Sequence, residues 1–348
     1  MLAYLKLKTN DEELYESNYL NQIKNKNTIL SIIQYRICYI YYKLIVFIKY
    51  YINIITVKEI YGGYLFILPF HKINNNRLKI CMRKISTLIK KYNINSMVIT
   101  EELNNCKIFR NDIHQVQILD GKGIIPYLIK EIVEYIVNLQ KGNIELEDLY
   151  VCINESKRIY LDNITYLMHY FKSINIVTKN INTFQKMADK IAEKENIIIT
   201  VTNNKRKSLR KAKIIINFDF ENNEIKKYNI YRKAILISIN EQEVYENSGF
   251  DGIQIRQIGI DSSLEIKELF KKYNLLDNCS LTTLYESIIN DKQEFRAIKD
   301  KMKKDEIKII KIYGKNGEIS KKECEELKTV AGLWILSEFT WQKTKYKV

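Results

Sequence analysis

The residues best suited to bind a ligand lie at the ends of three short apolar runs near the middle of the chain, or just after them. The runs LYVCI, INIVT and IIITVT are rich in Ile and Val, which is typical of strands buried on both faces of a parallel sheet. Ligands of such sheets bind beyond the carboxyl ends of the strands. Amide, hydroxyl and ammonium groups there would suit an anionic ligand. The predicted ligand-binding residues are Asn154, Ser156, Lys157, Thr178, Lys179, Asn180, Thr202 and Asn203.

A fourth run, IIINF, and the helical segments between the runs complete the predicted sheet. Glu155 belongs to the first turn, and Asp219 and Phe220 follow the fourth run at the same predicted edge. Alternation of strand and helix predicts an α/β fold, a Rossmann-like doubly wound parallel sheet in the C-terminal half. The predicted strands are 149–153, 174–178, 197–202, 213–218 and 234–239, and the predicted helices are 156–171, 183–195, 205–212 and 221–231.

The remaining segments predict a second α/β lobe before this sheet and a mostly helical tail after it. The N-terminal part contains apolar runs at 2–7, 64–68 and 96–100, with a helix at 77–92. Ser320 and Glu323 form a capping box that predicts a last helix. We predict an N-terminal α/β lobe at 1–122, a connecting helix at 123–145, the Rossmann-like domain at 146–262, and a mostly helical segment at 263–348 that packs back on the core.

The apolar run from Ile29 to Val57 is long enough to cross a bilayer, but it contains Arg36, Lys43 and Lys49. A lysine near the bilayer centre costs about 2.5–3.5 kcal/mol on insertion scales. Arg36 and Lys43 are seven residues apart and therefore share one helix face. This pattern favours a long core helix with one wet stripe, so no membrane span is expected.

Composition and charge narrow the classes of protein. The 348 residues are 46% hydrophobic and 28% charged, which is typical of a folded protein. The formal net charge of +15 is compatible with nucleic-acid binding, but the charge is spread along the chain and this function is not favoured. The densest basic segment, 205–213, is interpreted first as a solvated short helix. The six cysteines form no CxxC pair, so no metal site is predicted, and we expect a cytoplasmic protein with reduced thiols.

The run VTKNINTFQKMADKIAEK, followed by IIITVTNN and IIINFDF, resembles the NADP-binding domain of shikimate/quinate dehydrogenases and glutamyl-tRNA reductase over roughly residues 118–260. Those families place a polar–basic–polar triplet after the second strand, where it meets the ribose phosphate of NADP. Thr178-Lys179-Asn180 is similar in type and place. The resemblance therefore implies a nucleotide ligand, with NADP as the cofactor, whereas the residues alone leave the cofactor unknown.

The chain departs from this family at the phosphate loop. The family's loop is Gly-rich because glycines let the backbone approach the pyrophosphate, but this chain has no glycine between Gly142 and Gly249. Glu155 would add a negative charge there. The first hypothesis is therefore a degenerate NADP-type dehydrogenase-like protein with altered or lost catalysis. A non-catalytic interaction or regulatory scaffold and a basic nucleic-acid-binding protein stay open as alternatives, as do the protein's status as an enzyme and its oligomeric state.

Overall fold

A computed structural model describes residues 1–8, 29–60, 62–104, 106, 116–195, 197, 199–239, 245, 249–289 and 293–327. The chain divides into two compact units. The first consists of 1–120 together with 267–290, and the second of 121–266 together with 291–348. The predicted α/β fold class with a Rossmann-like parallel sheet is confirmed. The domain boundaries drawn from the sequence stay a prediction.

The first unit is built on a five-stranded sheet with the order β2-β3-β1-β4-β5. Strand β1 lies at its centre and pairs in parallel with β3 and β4, whereas β2 pairs antiparallel with β3. One core of this unit joins the sheet to helix α2 through Phe66, Leu78 and Ile85. The elements are β1 (Leu2–Leu7), α1 (Ile29–Ile52), β2 (Thr56–Ile60), β3 (Gly63–Leu68), α2 (Asn75–Lys91), β4 (Ser96–Ile99), α3 (Glu101–Asn104) and β5 (Gln117–Leu119).

The apolar run at 29–57 differs from its prediction in two ways. Helix α1 ends at Ile52, Asn53 has a φ of 53°, and a strand that the sequence did not predict follows at β2. The interpretation of α1 as a core helix is wrong, because only 6% of its most apolar window is buried. Helix α1 is long and apolar enough to cross a membrane. Core helices of soluble proteins and signal sequences meet the same test of length and composition.

The second unit contains a six-stranded, entirely parallel sheet with the order β11-β10-β9-β6-β7-β8. Counted from its first strand, this is the Rossmann order 3-2-1-4-5-6. The strand order reverses between β6 and β9, which are neighbours. The elements are β6 (Asp148–Cys152), α5 (Arg158–Leu167), β7 (Ser173–Val177), α6 (Ile181–Glu195), β8 (Ile199–Thr202), α7 (Lys205–Lys211), β9 (Ile214–Asn217), α8 (Asn222–Ile225), β10 (Ile235–Ser238) and β11 (Ile253–Ile255), with α4 (Ile129–Leu139) preceding them.

The residues after β11 are divided between the two units, since 267–290 belong to the first unit and the others to the second. Strand β12 (Gln257–Asp261) pairs antiparallel with β13 (Lys308–Gly314), and β13 pairs with β14 (Gly317–Glu318). Helix α4 packs against β13, and the Tyr135 hydroxyl donates to the Ile310 carbonyl at 3.0 Å. The remaining helices are α9 (Leu264–Lys271), α10 (Leu281–Ile288), α11 (Phe295–Lys304) and α12 (Lys321–Glu326). The predicted continuation of the last helix to Trp341 lies outside the described residues.

Candidate functional site

The loop between β6 and α5 lies where a Rossmann fold binds the diphosphate of its nucleotide. It follows the first strand at the point where the strand order reverses, and ligands of open α/β sheets bind in the crevice at such a point. Asn154 is half-buried, whereas Ser156 and Lys157 are exposed. Helix α5 begins at Arg158, and its N-cap, Lys157, makes no side-chain capping hydrogen bond. Neither Asn154 nor Ser156 therefore caps this helix.

The Asp219 carboxylate lies on the backbone donors of this loop. Its Oδ1 accepts the N–H of Asn154 at 2.7 Å, and its Oδ2 accepts the N–H of Glu155 at 2.6 Å. Two backbone N–H groups that converge on one anion form the donor arrangement with which helix-preceding loops bind phosphate. An anion that belongs to the chain itself thus occupies this position.

A turn after β9 fixes Asp219 in this place. The Asn217 side chain accepts the N–H of Phe220 at 2.9 Å and donates to the Phe220 carbonyl at 2.9 Å, so its amide closes the turn. Phe218 and Phe220 are buried, and the N–H of Phe218 donates to the Cys152 carbonyl at 3.0 Å. Since both flanking rings are anchored in the core, Asp219 lies between them and faces the loop after the neighbouring strand β6.

Burial and hydrogen bonding oppose each other at Asp219. Partial burial, which disfavours the charged form, raises the pKa of its carboxyl above the usual range, and the N–H groups of Glu155 and Asn154 lower it in part. The hydrogen bonds from these two N–H groups partly offset the free-energy cost of burying the Asp219 carboxylate.

The loop after β7 is tied to the loop after β6 through Asn154. The Asn154 side-chain oxygen accepts the N–H of Lys179 at 3.0 Å, and the Asn180 amide donates to the Asn154 carbonyl at 2.6 Å. Thr178 is fully buried, and its hydroxyl accepts the N–H of Asn180 at 3.0 Å. The predicted residues of these two loops therefore come together, and their polar groups hold each other.

Glu224 of α8 binds the lysines nearest to this edge. Its carboxylate forms an ion pair with Lys205, and the Lys179 ammonium lies 3.3 Å from its other oxygen. Burial alone would raise the pKa of Glu224, but the hydrogen bonds and charges of Lys205 and Lys179 outweigh burial and lower it. Lys205 also lies 4.6 Å from the centre of the Phe220 ring. Lys179, the predicted partner of a ribose phosphate, is thus paired with a carboxylate.

Thr202 and Asn203 follow β8, and their hydrogen bonds support the start of α7. The Thr202 hydroxyl accepts the N–H of Asn204 at 3.0 Å, and the Asn203 carbonyl accepts the N–H of Lys205 at 2.8 Å. Asn204 caps α7 by accepting the N–H of Lys207 at 3.1 Å. Along this predicted basic segment Lys205 is engaged with Glu224, whereas four cations are exposed, namely Arg206, Lys207, Arg210 and Lys211.

The sequence predicts the ligand-binding edge of the sheet, but it does not show which carboxylates lie there. Glu155 was expected to add a negative charge at the diphosphate position, but its exposed side chain pairs with Lys157 at 2.7 Å. The carboxylate that occupies the position is Asp219, which adjoins it only because β6 and β9 are neighbours. Glu224 was not singled out from the sequence, which predicted a helix at 221–231, whereas the structure has only the four-residue α8 there. Residues 240–244 and 246–248, which follow β10 in the chain, lie outside the described residues.

The described donors do not fit the diphosphate of a dinucleotide, because Asp219 already occupies the two N–H groups that would bind it. Across the described ranges, no group of three or more His, Cys, Asp or Glu side chains could hold a metal ion. Cys152 is fully buried, and burial raises the pKa of its thiol, as expected of a small core residue rather than a nucleophile.

A separate surface cavity of about 410 Å³ lies along α5 and the start of α11. Arg158 pairs with Glu294 at 3.0 Å and with Asp162 at 3.7 Å at its rim. His169 is exposed and lines this cavity. Three of the lining charges, Arg158, Asp162 and Glu294, are thus paired with each other.

No family model matches the chain, and no curated protein matches it. Among solved structures, Δ1-pyrroline-2-carboxylate reductase of Thermococcus litoralis is 10% identical with a TM-score of 0.24, and the match covers 33% of this chain and 36% of that chain. The chain thus matches about a third of that reductase. L-tryptophan dehydrogenase of Nostoc punctiforme is 9% identical with a TM-score of 0.30, covering 94% and 86%. Shikimate 5-dehydrogenase of Listeria monocytogenes, solved with shikimate and NAD, is 11% identical with a TM-score of 0.27, covering 82% and 94%. Likenesses at this level assign no family.

Proposed function

We propose that this protein is a degenerate Rossmann-like protein that has lost dinucleotide binding and catalysis and acts as a non-catalytic scaffold in the cytoplasm. The observation that carries the proposal is the Asp219 carboxylate, 2.7 Å and 2.6 Å from the N–H groups of Asn154 and Glu155. A diphosphate would have to displace this carboxylate, which is covalently part of the chain and therefore present at a high effective concentration.

The pairing of Lys179 supports the same proposal. Its ammonium faces the Glu224 carboxylate at 3.3 Å, so the lysine suited to the ribose phosphate of NADP already has an anionic partner. A phosphate would bring a second anion beside Glu224, and like charges at such a distance repel each other. Both anionic groups of an NADP molecule, its diphosphate and its ribose phosphate, thus meet carboxylates of the chain at this edge.

Thermal denaturation of the whole protein with NADP+, NADPH, NAD+ and NADH tests the proposal. A ligand at about 100 times its dissociation constant adds about 2.7 kcal/mol to the free energy of unfolding. We expect no change in Tm with any of the four dinucleotides. A clear increase with NADP(H) that Lys179→Glu abolishes would contradict the proposal and restore the cofactor site implied by the family resemblance.

Asp219→Ala tests whether this carboxylate is what excludes the diphosphate. The substitution leaves two N–H groups without their acceptor, so inorganic pyrophosphate should raise the Tm of the variant and leave that of the wild type unchanged. Asp148→Ala is the matched control, because Asp148 starts β6 at the opposite end of the same strand and accepts the Ser173 hydroxyl at 2.7 Å. Equal responses of the two variants to pyrophosphate would show that Asp219 is not the excluding group.

The exposed cations of α7 favour nucleic-acid binding as a second candidate function. Arg206, Lys207, Arg210 and Lys211 are exposed on one short helix, and phosphate contacts of this kind supply salt-dependent, sequence-independent affinity. Retention on immobilised DNA or RNA that weakens with salt, and that Lys207→Glu with Arg210→Glu lowers, would support this candidate over the scaffold.

A further inference from the structure

Helix α1 has one half-buried side and one exposed apolar side. The half-buried side chains Tyr35, Cys38, Tyr42, Ile45 and Lys49 recur at intervals of three and four residues, which places them on one face of the helix. The opposite side carries apolar side chains that are 40–80% exposed, namely Ile29, Leu30, Ile33, Ile37, Ile40, Tyr41, Leu44, Phe47, Ile48, Tyr51 and Ile52. An exposed apolar surface of this extent marks an interaction site.

Cations of α2 attach the C-terminal end of α1 to the first unit. The Arg77 guanidinium donates to the Tyr50 carbonyl at 2.8 Å and lies 3.8 Å from the centre of the Tyr50 ring. The Lys84 ammonium donates to the carbonyls of Ile52 and Asn53 at 2.8 and 2.9 Å. These donors satisfy carbonyls that a helix end leaves without partners, so the attachment uses the helix end and leaves the apolar side uncovered.

Basic and tyrosine side chains border the apolar side. Arg36 and Lys43 are exposed and lie one beside the other along one edge of the helix. The sequence from 18 to 58 contains six Lys and Arg residues and no Asp or Glu. Tyr39, Tyr41, Tyr50 and Tyr51 are exposed, and tyrosine is enriched where a protein meets the boundary between lipid headgroups and acyl chains. The chemistry of this surface therefore complements a partner that is apolar with an anionic border.

The same features disfavour a second copy and a membrane span. The stripe Ile33, Ile37, Ile40, Leu44 has the spacing of a helix–helix seam, but the flanking Arg36 and Lys43 have no acidic complement on α1, so pairing of two such helices would juxtapose cations. In a span of this helix, whose length is about 36 Å, both cations would lie within the hydrocarbon, where charged side chains are costly. At the membrane surface the same cations reach the headgroups.

We propose that α1 is an interfacial helix that docks the first unit on an anionic lipid bilayer, with the helix axis in the plane of the membrane. The apolar side enters the boundary between headgroups and acyl chains, and Arg36 and Lys43 contact lipid phosphates. Arg77 and Lys84 of α2 hold the C-terminal end of the helix during this contact.

Vesicle flotation of the full-length protein tests the proposal. We expect the protein to bind vesicles of phosphatidylcholine mixed with phosphatidylglycerol and to bind phosphatidylcholine alone much less. Replacing both cations, Arg36→Gln with Lys43→Gln, should weaken binding to the anionic vesicles about 30-fold, since each basic residue near an anionic surface contributes about a fivefold gain. Ile37→Asp with Leu44→Asp should abolish binding to both vesicles. Leu146→Asp is the control, because Leu146 is 59% exposed in the second unit and should leave binding unchanged.

Four results would overturn the proposal, provided that circular dichroism shows each variant folded. Absence of vesicle binding in a monomeric wild type would mean that the apolar side is covered within the chain. A wild-type dimer that Ile37→Asp with Leu44→Asp dissociates, without vesicle binding, would identify a second copy as the partner. Equal binding to both kinds of vesicle, unaffected by the loss of the two cations, would show that the helix does not recognise anionic lipid. Resistance of the cellular protein to alkaline extraction from membranes would identify a span instead.

Discussion

At the scale of single residues, Glu224 determines the electrostatic balance of the sheet edge. It is the carboxylate of the Lys205 pair, in which the two side chains are only 10% and 14% exposed. A pair this buried interacts strongly when complete, and removing one partner leaves the other charge buried without compensation. Lys179, which is 61% exposed, adds little to stability because solvent screens its charge.

We expect Glu224→Gln to lower the free energy of unfolding by about 2 kcal/mol at neutral pH, the cost of losing a charge-assisted hydrogen bond. The pKa of Glu224 is lowered from its ordinary value of 4.5. Its contribution to stability is therefore present above pH 4.5 and is lost as the pH falls below that value through the folded-state pKa. Urea denaturation at a series of pH values should show the two proteins converging at acidic pH.

Glu155→Gln is the control for this experiment. Glu155 pairs with Lys157, but both side chains are more than half exposed, so the substitution should change stability by less than about 0.5 kcal/mol at every pH. If Glu224→Gln lowers the free energy of unfolding equally at pH 3 and pH 7, the ion pair of Glu224 with Lys205 is not the cause, because the charge of Glu224 would then make no difference.

The residues of the candidate site differ in how far a sequence can reveal them. Asn154, Lys179 and Asn180 were predictable, because each follows a recognisable strand and parallel strands end at a common edge. Asp219 was noted at this edge, but its role as the anion on the β6 loop depends on β9 lying beside β6, which a sequence does not show. Glu224 lies in a helix that the sequence predicted at 221–231 and that has only four residues in the structure, and its lysine partners lie in other loops and helices that a sequence does not bring together.

At the scale of elements, the adjacent glycines Gly62 and Gly63 are required for different reasons. Gly62 has a φ of +77°, and no atom lies within 4 Å of where its Cβ would be. A Cβ on Gly63 would lie 2.2 Å from the backbone oxygen of Leu2, on the strand with which β3 pairs. Gly62 thus permits the turn, whereas Gly63 permits the close approach of two strands.

We expect Gly63→Ala to cost about 3 kcal/mol, because a methyl group there has to displace the backbone of β1 and disturbs the centre of the sheet. Gly62→Ala, the neighbouring control, should cost about 1 kcal/mol, the penalty of a left-handed conformation with a side chain. Guanidinium denaturation of the two variants measures the difference. Equal costs would indicate that β1 does not approach Gly63 as closely as the structure has it.

The sequence predicts features that depend on residues close together in the chain, but it does not predict which side of a helix is covered. The capping box of Ser320 and Glu323 is present as expected, because its hydrogen bonds join residues three apart. Helix α4 lies within the predicted connecting helix, and its apolar face is buried. For α1 the same reasoning failed, since core helices and helices that bind a surface share their composition, and only the folded chain shows which side is covered.

At the scale of the whole molecule, the first unit is assembled from two distant segments of the chain. Residues 267–290 belong to it together with 1–120. The Tyr4 hydroxyl lies 2.7 Å from the Ser287 hydroxyl, and the Lys6 ammonium donates to the Tyr273 carbonyl at 2.7 Å. Leu284 and Tyr285 of α10 are fully buried. In the sequence this segment is part of the predicted mostly helical segment at 263–348, because contacts between distant segments leave no local pattern.

This assembly predicts that residues 1–120 do not fold cooperatively when they are expressed alone. Each large apolar side chain that loses its cover costs about 1.5–3 kcal/mol, and the stability of a whole domain is about 5–15 kcal/mol. Joining 267–290 to residue 120 through a Gly/Ser linker should restore a cooperative thermal transition, measured by circular dichroism. The same linked chain with Leu284→Asp is the matched control and should remain unfolded, because a charge would enter the core. A native-like transition for 1–120 alone would show instead that the distant segment only covers a unit that is already stable.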